Sequence, residues 1–599
     1  MHRGRTPDNA RQGRIWLLGL VILLGMGGLV IRLWWVQIKQ GPEHVERIIK
    51  QSIRDIRLPA VRGRILTRGG EVLADNQPSY DLIFKVEDMR RRGRKSATVN
   101  HILDRGALIA GRINRPSPLT EARVRRHIDW YPALPLTIFE KLNKRELTLA
   151  LEHVDQTSGW SIRDGFIRTY PHGAVAAHVT GFTGITDPPD EEHYFYHERE
   201  PHGRAGLERF YDDILAGKAG RKTVRVDTLG YADQEANPPV APENGVSLVL
   251  EMDLRAQQIA ERLMAGKRGA FVLLNARTGG VLALVSAPGY NLNALTTDYY
   301  ARLAGDTENF PLLNRAVSPG YMPGSIVKPL VALAAFEAGK LDADTTVVTC
   351  PGYFKMGDMR INCGRRSGHG DLTLRAAIAQ SCNTFFIELG QQTGLEDLAK
   401  TFRQAGLGES PGLDIPGGGG AGLVPSRPWA RERLGRAWIA SDTAFISIGQ
   451  GMINLSPLQA AVYTAAIANG GAVLKPRLVH SMIREDGQIV KKMPVEIRRR
   501  LTDTPAYLDS LRAGMDAVVN SDIGGAPEAR NSVISVAGKT GTAEKGPRTE
   551  RTKNTWFTGF APIEDPRYAF TVIVEDGQSG GKTAAPIVSA FFDAWLTAR

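Results

Sequence analysis

Ser325 and Lys328 stand three residues apart in the stretch PGSIVKP. If Pro323-Gly324 opens a helix, both side chains leave one face of its first turn. A serine hydroxyl is a weak nucleophile that needs a base, and a lysine amine serves only when neutral. A helix N-terminus and a second nearby cation would both lower the lysine pKa toward that state. Free N–H groups in the first turn could also hold an oxyanion. Ser381 and Asn383 form an S-x-N tripeptide 56 residues further on. There a hydroxyl could relay a proton between Lys328 and a leaving amine, and an amide could bond a substrate amide. Lys539-Thr540-Gly541-Thr542 comes 158 residues after Ser381, within an apolar run of strand character. Lys539 and the hydroxyls of Thr540 and Thr542 could hold a carboxylate, while Gly541 allows close approach of backbone. The edge of such a strand could also pair with an extended peptide. Each motif alone is a common accident. Together, in this order and in fitting elements, they point to acyl transfer through a serine.

A second set of reactive residues overlaps the first. The chain has only three cysteines, and all lie between Cys350 and Cys382. With the one histidine of that segment the spacing is Cys350-x12-Cys363-x5-His369-x12-Cys382. In an oxidising compartment the default is a disulfide with one cysteine left over. Three thiolates and an imidazole also make a closed tetrahedral set of the structural zinc type, with Asp358 or Asp371 as a replacement for one ligand. Both readings stand at this point. Cys382 lies between Ser381 and Asn383. A metal gripping it from behind would make the S-x-N loop rigid, with Ser381 and Asn383 facing the other way.

The elements that must position these residues are partly legible. Ile15–Ile31 carries no charge, and with Arg32 snorkelling the apolar run reaches Val36, long enough to cross a bilayer. Trp16, Trp34 and Trp35 suit its two interfaces. The run is long for a cleaved signal peptide, and no small-x-small site follows it. Arg3, Arg5, Arg11 and Arg14 precede the span and predict a cytoplasmic N-terminus, with the bulk of the chain outside. The expected parts are a tail (1–14), a transmembrane helix (15–37), a pedestal (38–244) and a catalytic domain (245–599), with a seam in the Pro-rich stretch Tyr231–Gly245. In the pedestal, Arg62–Asn76 reads as strand, Gly-Gly turn, strand, and Gly203–Gly220 as a helix with Leu207, Phe210, Tyr211 and Ile214 on one face. After the seam, Gly269–Pro288 reads as a hairpin and helices follow. Strands return in ISVAGKTGTAE, TWFTGFAP and YAFTVIVEDG. This order predicts a mixed α+β or α/β sandwich whose first and last strands share one sheet. The net charge of +12 brings no nucleic-acid module with it, and MRRRGRK (Met89–Lys95), without interleaved aromatics, reads as an exposed loop.

S-x-x-K, S-x-N and K-T-G together resemble the active-site set of penicillin-binding proteins and serine β-lactamases. RGRILTRGGEVLADNQPSYDL, GRAGLERFYDDILAGKAG, GLDIPGG, SIGQGMINLSPLQAA and NTWFTGFAP are similar to class B penicillin-binding proteins, from about residue 55 to the C-terminus. Gly368-His369-Gly370 and the cysteine within S-C-N resemble the penicillin-binding protein 2 group, the elongation transpeptidases. The resemblance implies a single-pass protein of the bacterial inner membrane with a mixed pedestal and a β-lactamase-like transpeptidase domain, an antiparallel sheet flanked by helices. It implies a Ser325 acyl-enzyme that crosslinks peptidoglycan stem peptides, the same serine being open to β-lactams. Ser325 and Thr542 N–H groups would form the oxyanion hole. No catalytic cofactor is implied. A structural zinc on Cys350, Cys363, His369 and Cys382 is, since relatives hold zinc here with Asp, His and Cys. A SEDS-type glycosyltransferase (RodA) and other elongation-complex proteins would be partners.

Rival readings differ in specific features. A class A β-lactamase needs a deacylating glutamate, commonly in E-x-x-L-N, and none lies between Asn383 and Lys539. A division-specific transpeptidase shares most of the motifs. A β-lactam sensor or an inactive scaffold is the third alternative; a scaffold should have lost one of Ser325, Lys328 and Lys539, and all are present.

Overall fold

The computed structural model describes residues 8–41, 52–152, 159–545 and 552–597. Arg3 and Arg5 of the expected tail lie outside the described residues. A helix over Asp8–Trp34 continues in wider turns through Trp35–Lys39. Its stretch Gln12–Lys39 is long and apolar enough to cross a membrane, and it is not buried against the rest of the protein. Such a face is stable only where something other than water covers it.

The pedestal begins as its sequence suggests and then departs from it. Ile65–Leu66 pairs with Val72–Phe84 around a turn closed by Gly70 N–H to Thr67 O, with Gly70 in the left-handed region. The second strand runs to Phe84, because its far half pairs with Trp160–Thr169 along its whole length. The expected helix over Gly203–Gly220 is two short ones, Gly206–Phe210 and Asp212–Ala216, broken at Tyr211. The break changes the buried face: Leu207, Tyr211 and Leu215 are buried and Phe210 is exposed. Arg62, Arg168, Glu208 and Asp212 form an ion-pair network beneath these helices, in which both carboxylate oxygens of buried Glu208 are used. Removing one partner of such a network is costly, since the other charges stay buried.

The Pro-rich stretch is not a free linker. Ala232–Glu235 pairs with Gly220–Val226, and Val240 and Glu243 bridge Arg221 and Lys218. Just beyond it, Ser247–Leu250 pairs in parallel with Ile65–Leu66 and antiparallel with Val479–Ile483. One sheet therefore crosses from the pedestal into the catalytic half. The hydrophobic interior follows the same division. One cluster, including Val99, Ile102, Ile109, Phe139 and Trp160, belongs to the pedestal's outer lobe alone. The largest cluster joins Ile65, Tyr170, Leu207, Tyr211 and Leu215 to the catalytic core.

Tyr211 marks the junction. Its hydroxyl donates to Asp414 Oδ2 (3.2 Å), and Asp414 also accepts the backbone N–H groups of Leu478 (2.6 Å) and Val479 (2.8 Å). Burial raises the Asp414 pKa, and the two N–H bonds oppose the rise. Asp414→Ala would leave three buried donors without their acceptor. We expect it to destabilise the protein by about 3 kcal/mol or more in chemical denaturation, because each orphaned donor costs about 1–3 kcal/mol. A loss below about 1 kcal/mol would show that this junction does not hold the two halves together.

The catalytic half is built on a five-stranded antiparallel sheet. Its strands are β1 (Gly269–Asn275), β2 (Val281–Ala287), β3 (Ala537–Lys545), β4 (Thr552–Ala561) and β5 (Tyr568–Val574), in the order β2-β1-β5-β4-β3. The β1–β5 pairing, Gly269 opposite Val574 to Asn275 opposite Tyr568, joins the first and last strands as the sequence order predicts. The helices around this sheet include α1 (Leu254–Met264), α2 (Lys328–Glu337), α3 (Leu374–Ala379), α4 (Asn383–Gln404), α5 (Pro457–Ala468) and α6 (Ala585–Thr597). α1 packs on β2 and on α6, whose Phe591 meets Phe271 of β1; α5 packs on β1, β4 and β5. Apart from Lys328 and Glu337 at the ends of α2, the two helices α2 and α5 are largely apolar and buried, as helices inside a two-sided sandwich must be.

Candidate active site

The S-x-x-K motif sits where α2 begins. Gly324–Val327 form one tight turn that runs straight into α2 at Lys328. In such a turn residues three apart eclipse, so Ser325 and Lys328 share one face. Pro329 in the first turn of α2 has no N–H to leave unpaired. The turn is clasped from several sides. Tyr463 Oη donates to Ile326 O (2.8 Å), Trp556 Nε1 to Met322 O (3.1 Å), and Gly324 N–H to Gly449 O (2.8 Å). Ser325 is half-buried, while Lys328 is wholly buried under Phe386.

Lys328 joins two of the three motifs. Its Nζ donates to Ser381 O (2.7 Å), Ser381 Oγ (3.3 Å) and Asn383 Oδ1 (2.8 Å). Burial pulls its pKa down to about 8, against the pull of the Cys363 and Cys382 sulfurs, which raise it. Lys539 is also wholly buried and donates to Thr540 O (3.0 Å). Burial, and then the charge of Lys328, lower its pKa well below the usual lysine range. Two buried ammonium groups thus disfavour one another, and an incoming carboxylate would relieve both.

S-x-N is not an extended loop but the joint between α3 and α4. Ser381 N–H bonds Ile378 O (3.2 Å) and Cys382 N–H bonds Ala377 O (3.0 Å), with Ser381 at φ 53°. This is the reverse turn that ends many helices, with serine at the left-handed position glycine usually fills. A non-glycine residue there costs on the order of 1 kcal/mol, strain of the kind that gathers at functional sites. Asn383 is oriented at both ends: Nδ2 donates to Asn362 O (2.9 Å) while Oδ1 accepts from Lys328.

β3 is an edge strand paired with β4, Lys539 opposite Thr558 and Thr542 opposite Thr555. Alternation puts Lys539 and Gly541 on one face and Thr540 and Thr542 on the other. Gly541 does allow a close approach of backbone, that of the Gly324–Val327 turn. A Cβ there would lie 2.8 Å from Pro323 O and 2.9 Å from Ile326 Cγ2, so the nucleophile turn itself demands glycine. A Cβ on Gly324 would likewise lie 2.7 Å from Thr542 O and 3.2 Å from Thr542 N. Thr542 O accepts from Gln450 Nε2 (3.3 Å) rather than from β4. In a strand the N–H and C=O of one residue point to the same edge. Thr542 N–H therefore faces the nucleophile turn.

The cysteines and His369 converge behind S-x-N. Their four ligand atoms all lie within 4.8 Å of one another. Cys350 Sγ and Cys363 Sγ lie 3.5 and 3.4 Å from His369 Nδ1, and Cys363 Sγ lies 3.8 Å from Cys382 Sγ. No cysteine is in a disulfide. A tetrahedral zinc with ordinary bond lengths has edges of about 3.8 Å between sulfurs and about 3.6 Å from sulfur to nitrogen. The group is thus of a size to hold a metal ion. Asp371 points elsewhere, accepting from Thr349 Oγ1 (2.5 Å), and neither it nor Asp358 joins the group. Cys363 Sγ also accepts Asn383 N–H (3.2 Å), and Cys350 Sγ donates to Thr384 Oγ1 (3.3 Å). The hydrogen bond from Cys382 lowers the Cys363 pKa, which favours a thiolate there.

The motifs do not reveal every contact. Asn362, Phe386, Gly449, Gln450, Tyr463 and Trp556 contact the site through single side chains or backbone oxygens with no spacing signature. Gly449 and Gln450 lie in SIGQG, where two glycines around a glutamine signal a tight turn but not what it touches.

Comparison with known proteins accords with this geometry. Residues 269–593 match the penicillin binding protein transpeptidase domain, and residues 57–250 the penicillin-binding protein dimerisation domain. A peptidoglycan D,D-transpeptidase MrdA of Acinetobacter baumannii is 31% identical, covering 98% of this chain and 88% of that protein. Among solved structures, the penicillin-binding protein PBP2 in its complex with MreC from Helicobacter pylori is 29% identical, with a TM-score of 0.77 over 91% of this chain and 98% of that one. A chain of a peptidoglycan synthase complex solved for the coordination of polymerization and crosslinking is 27% identical, with a TM-score of 0.68 over 98% and 99%. The chain belongs to the class B penicillin-binding proteins and is similar to penicillin-binding protein 2 over nearly its whole length.

Proposed function

We propose that this protein is a peptidoglycan D,D-transpeptidase of cell-wall elongation, acting through a Ser325 acyl-enzyme. The observation that carries the reading is the three-way bond of Lys328 Nζ to Ser381 O, Ser381 Oγ and Asn383 Oδ1, on the face of the turn that Lys328 shares with Ser325. Neutral Lys328 takes the Ser325 proton as Oγ attacks the penultimate D-alanine carbonyl of a stem peptide. The N–H groups of Ser325 and Thr542 hold the oxyanion. Ser381 passes the proton to the departing D-alanine amine. An amine of a second stem then attacks the ester carbonyl, its proton returns along the same path, and Ser325 Oγ is released. The hydroxyls of Thr540 and Thr542 bind the terminal carboxylate on one face of β3 and the Lys539 charge attracts it from the strand's other face, Gly541 lets β3 lie against the nucleophile turn, and Asn383 bonds the substrate amide. β-Lactams acylate the same serine.

The pH dependence follows from the base. Lys328 works only when neutral, and its pKa is about 8. The acylation rate should therefore rise with pH through about 8 and level off above it. Stopped-flow acylation of the full chain by a fluorescent penicillin measures this; a rate that falls across that range would exclude Lys328 as the base. Depletion in the host tests the cellular role: round cells for elongation, filaments for division.

The group of Cys350, Cys363, His369 and Cys382 holds one structural zinc in this reading. When bound, the ion supplies cross-linking and no chemistry: it ties Cys363, which accepts Asn383 N–H, to Cys382 at the α3–α4 joint. Residues 15–37 anchor the chain in the inner membrane with residues 1–14 in the cytoplasm, the pedestal (38–244) and transpeptidase domain (245–599) being periplasmic. The relative bound to MreC and the relative in a synthase complex support partners of the elongation machinery, including a SEDS-type polymerase (RodA).

A further inference from the structure

The SIGQG turn (Ser447–Gly451) is not one of the catalytic motifs, yet it touches both walls of the oxyanion hole. Gly449 O accepts Gly324 N–H at 2.8 Å, on the residue just before the nucleophile. Gly449 is in the left-handed region (φ 71°), and a Cβ there would lie 1.9 Å from Gly324 O. The next residue reaches the other wall, Gln450 Nε2 donating to Thr542 O at 3.3 Å.

The turn itself is firmly seated. Ser447 is buried, its hydroxyl donates to Thr443 O (2.7 Å), and Gly390 leaves room for it: a Cβ on Gly390 would lie 1.8 Å from Ser447 Oγ. Gly449 N–H bonds Ile446 O (3.0 Å) and Gln450 N–H bonds Phe445 O (2.9 Å), so the backbone from which the Gln450 side chain extends is fixed. Downstream, Leu455 N–H bonds Tyr321 O (3.0 Å), four residues before Ser325.

β3 needs such a support. It is an edge strand, and Thr542 turns its C=O and N–H away from β4. On that side no strand among the described residues pairs with β3, and the Gln450 side chain bonds Thr542 O there. Gln450 fixes the Thr542–Ala543 peptide through Thr542 O, and Gly449 fixes the Pro323–Gly324 peptide through Gly324 N–H, each adjoining the peptide that carries an oxyanion donor. One turn thereby keeps the two N–H donors at a constant separation.

Resting on the transpeptidase reading above, we propose that Gln450 is a positioning residue for the acyl-transfer step: it orients the Thr542 backbone so that its N–H meets the developing oxyanion. It acts on the transition state through Thr542. It touches neither the nucleophile nor the carboxylate-binding Lys539 in any bond of this structure. A lost oxyanion donor costs about 100–1,000-fold in rate, and a donor merely left loose costs less.

The experiment uses the full chain in detergent and a fluorescent penicillin. Gln450→Ala is expected to slow the acylation rate constant about 10-fold, with the pre-covalent dissociation constant changed less than about 2-fold. Gln450→Glu adds a readout that a packing role would not give. As a carboxylate it has no proton to donate and repels Thr542 O; protonated, it donates again. The acylation rate of Gln450→Glu divided by that of the wild type should rise as pH falls from 8 to 5, the Lys328 titration cancelling in the ratio. A wild-type acylation rate constant in Gln450→Ala, or a flat ratio in Gln450→Glu, overturns the proposal; if the Ala variant does not fold, the ratio decides. A wild-type protein that is not labelled at Ser325 would instead overturn the transpeptidase reading itself.

Discussion

Ser325→Ala will abolish covalent labelling by penicillin and leave the fold intact. Nothing else in the site can take the place of its Oγ: Lys328 Nζ is engaged by three acceptors, and Ser381 Oγ lies against that same Nζ. Removing a catalytic nucleophile commonly costs on the order of 10⁴–10⁶-fold in rate, so no adduct should form within hours. The stability cost is small, because Ser325 is half-buried and its hydroxyl supports no buried network among the described residues. Intact-protein mass spectrometry with penicillin reads the adduct, and the thermal midpoint should stay within about 2 °C. Continued labelling of the variant would place the nucleophile elsewhere and remove the assignment of all three motifs.

Cys363→Ser and His369→Ala are expected to lose zinc, stability and acylation together. Elemental analysis of the wild type should find about one zinc per chain, as a closed four-ligand site requires. The link to activity is geometric. Cys363 Sγ accepts the N–H of Asn383, whose Oδ1 takes a hydrogen bond from Lys328, and Cys382 separates Ser381 from Asn383. Loosening the group frees the α3–α4 joint, and Ser381, strained at φ 53°, is the first residue to relax. The loss of a structural metal is worth several kcal/mol, which for a domain of this size lowers the thermal midpoint by roughly 5–10 °C. Acylation should slow by about 10-fold or more, as for other displaced catalytic groups. A metal-free wild type with a Cys363–Cys382 bridge and normal acylation would refute the zinc assignment.

The catalytic motifs, the apolar N-terminal helix and the five strands of the catalytic sheet were all legible in the chain. Their signals are local: S-x-x-K is read within one turn, a strand by its run of apolar β-formers, a membrane span by its length. The sequence also carried the cluster of Cys350, Cys363, His369 and Cys382, since three cysteines confined to Cys350–Cys382 with one histidine between them leave few partners. Tertiary structure decided what depends on distant chain. It broke the helix over Gly203–Gly220 at Tyr211, because Tyr211 must reach Asp414, 203 residues away. It gave the Pro-rich stretch, read from the sequence only as a seam, strand pairing with Gly220–Val226. Gly541 proved to yield to the Pro323 carbonyl, and Thr542 to be held by Gln450, 92 residues before it. Local propensity encodes which residues make a strand or a turn. Which edge faces the nucleophile, and what holds it there, follows only from the packing of strands and turns that the sequence keeps far apart.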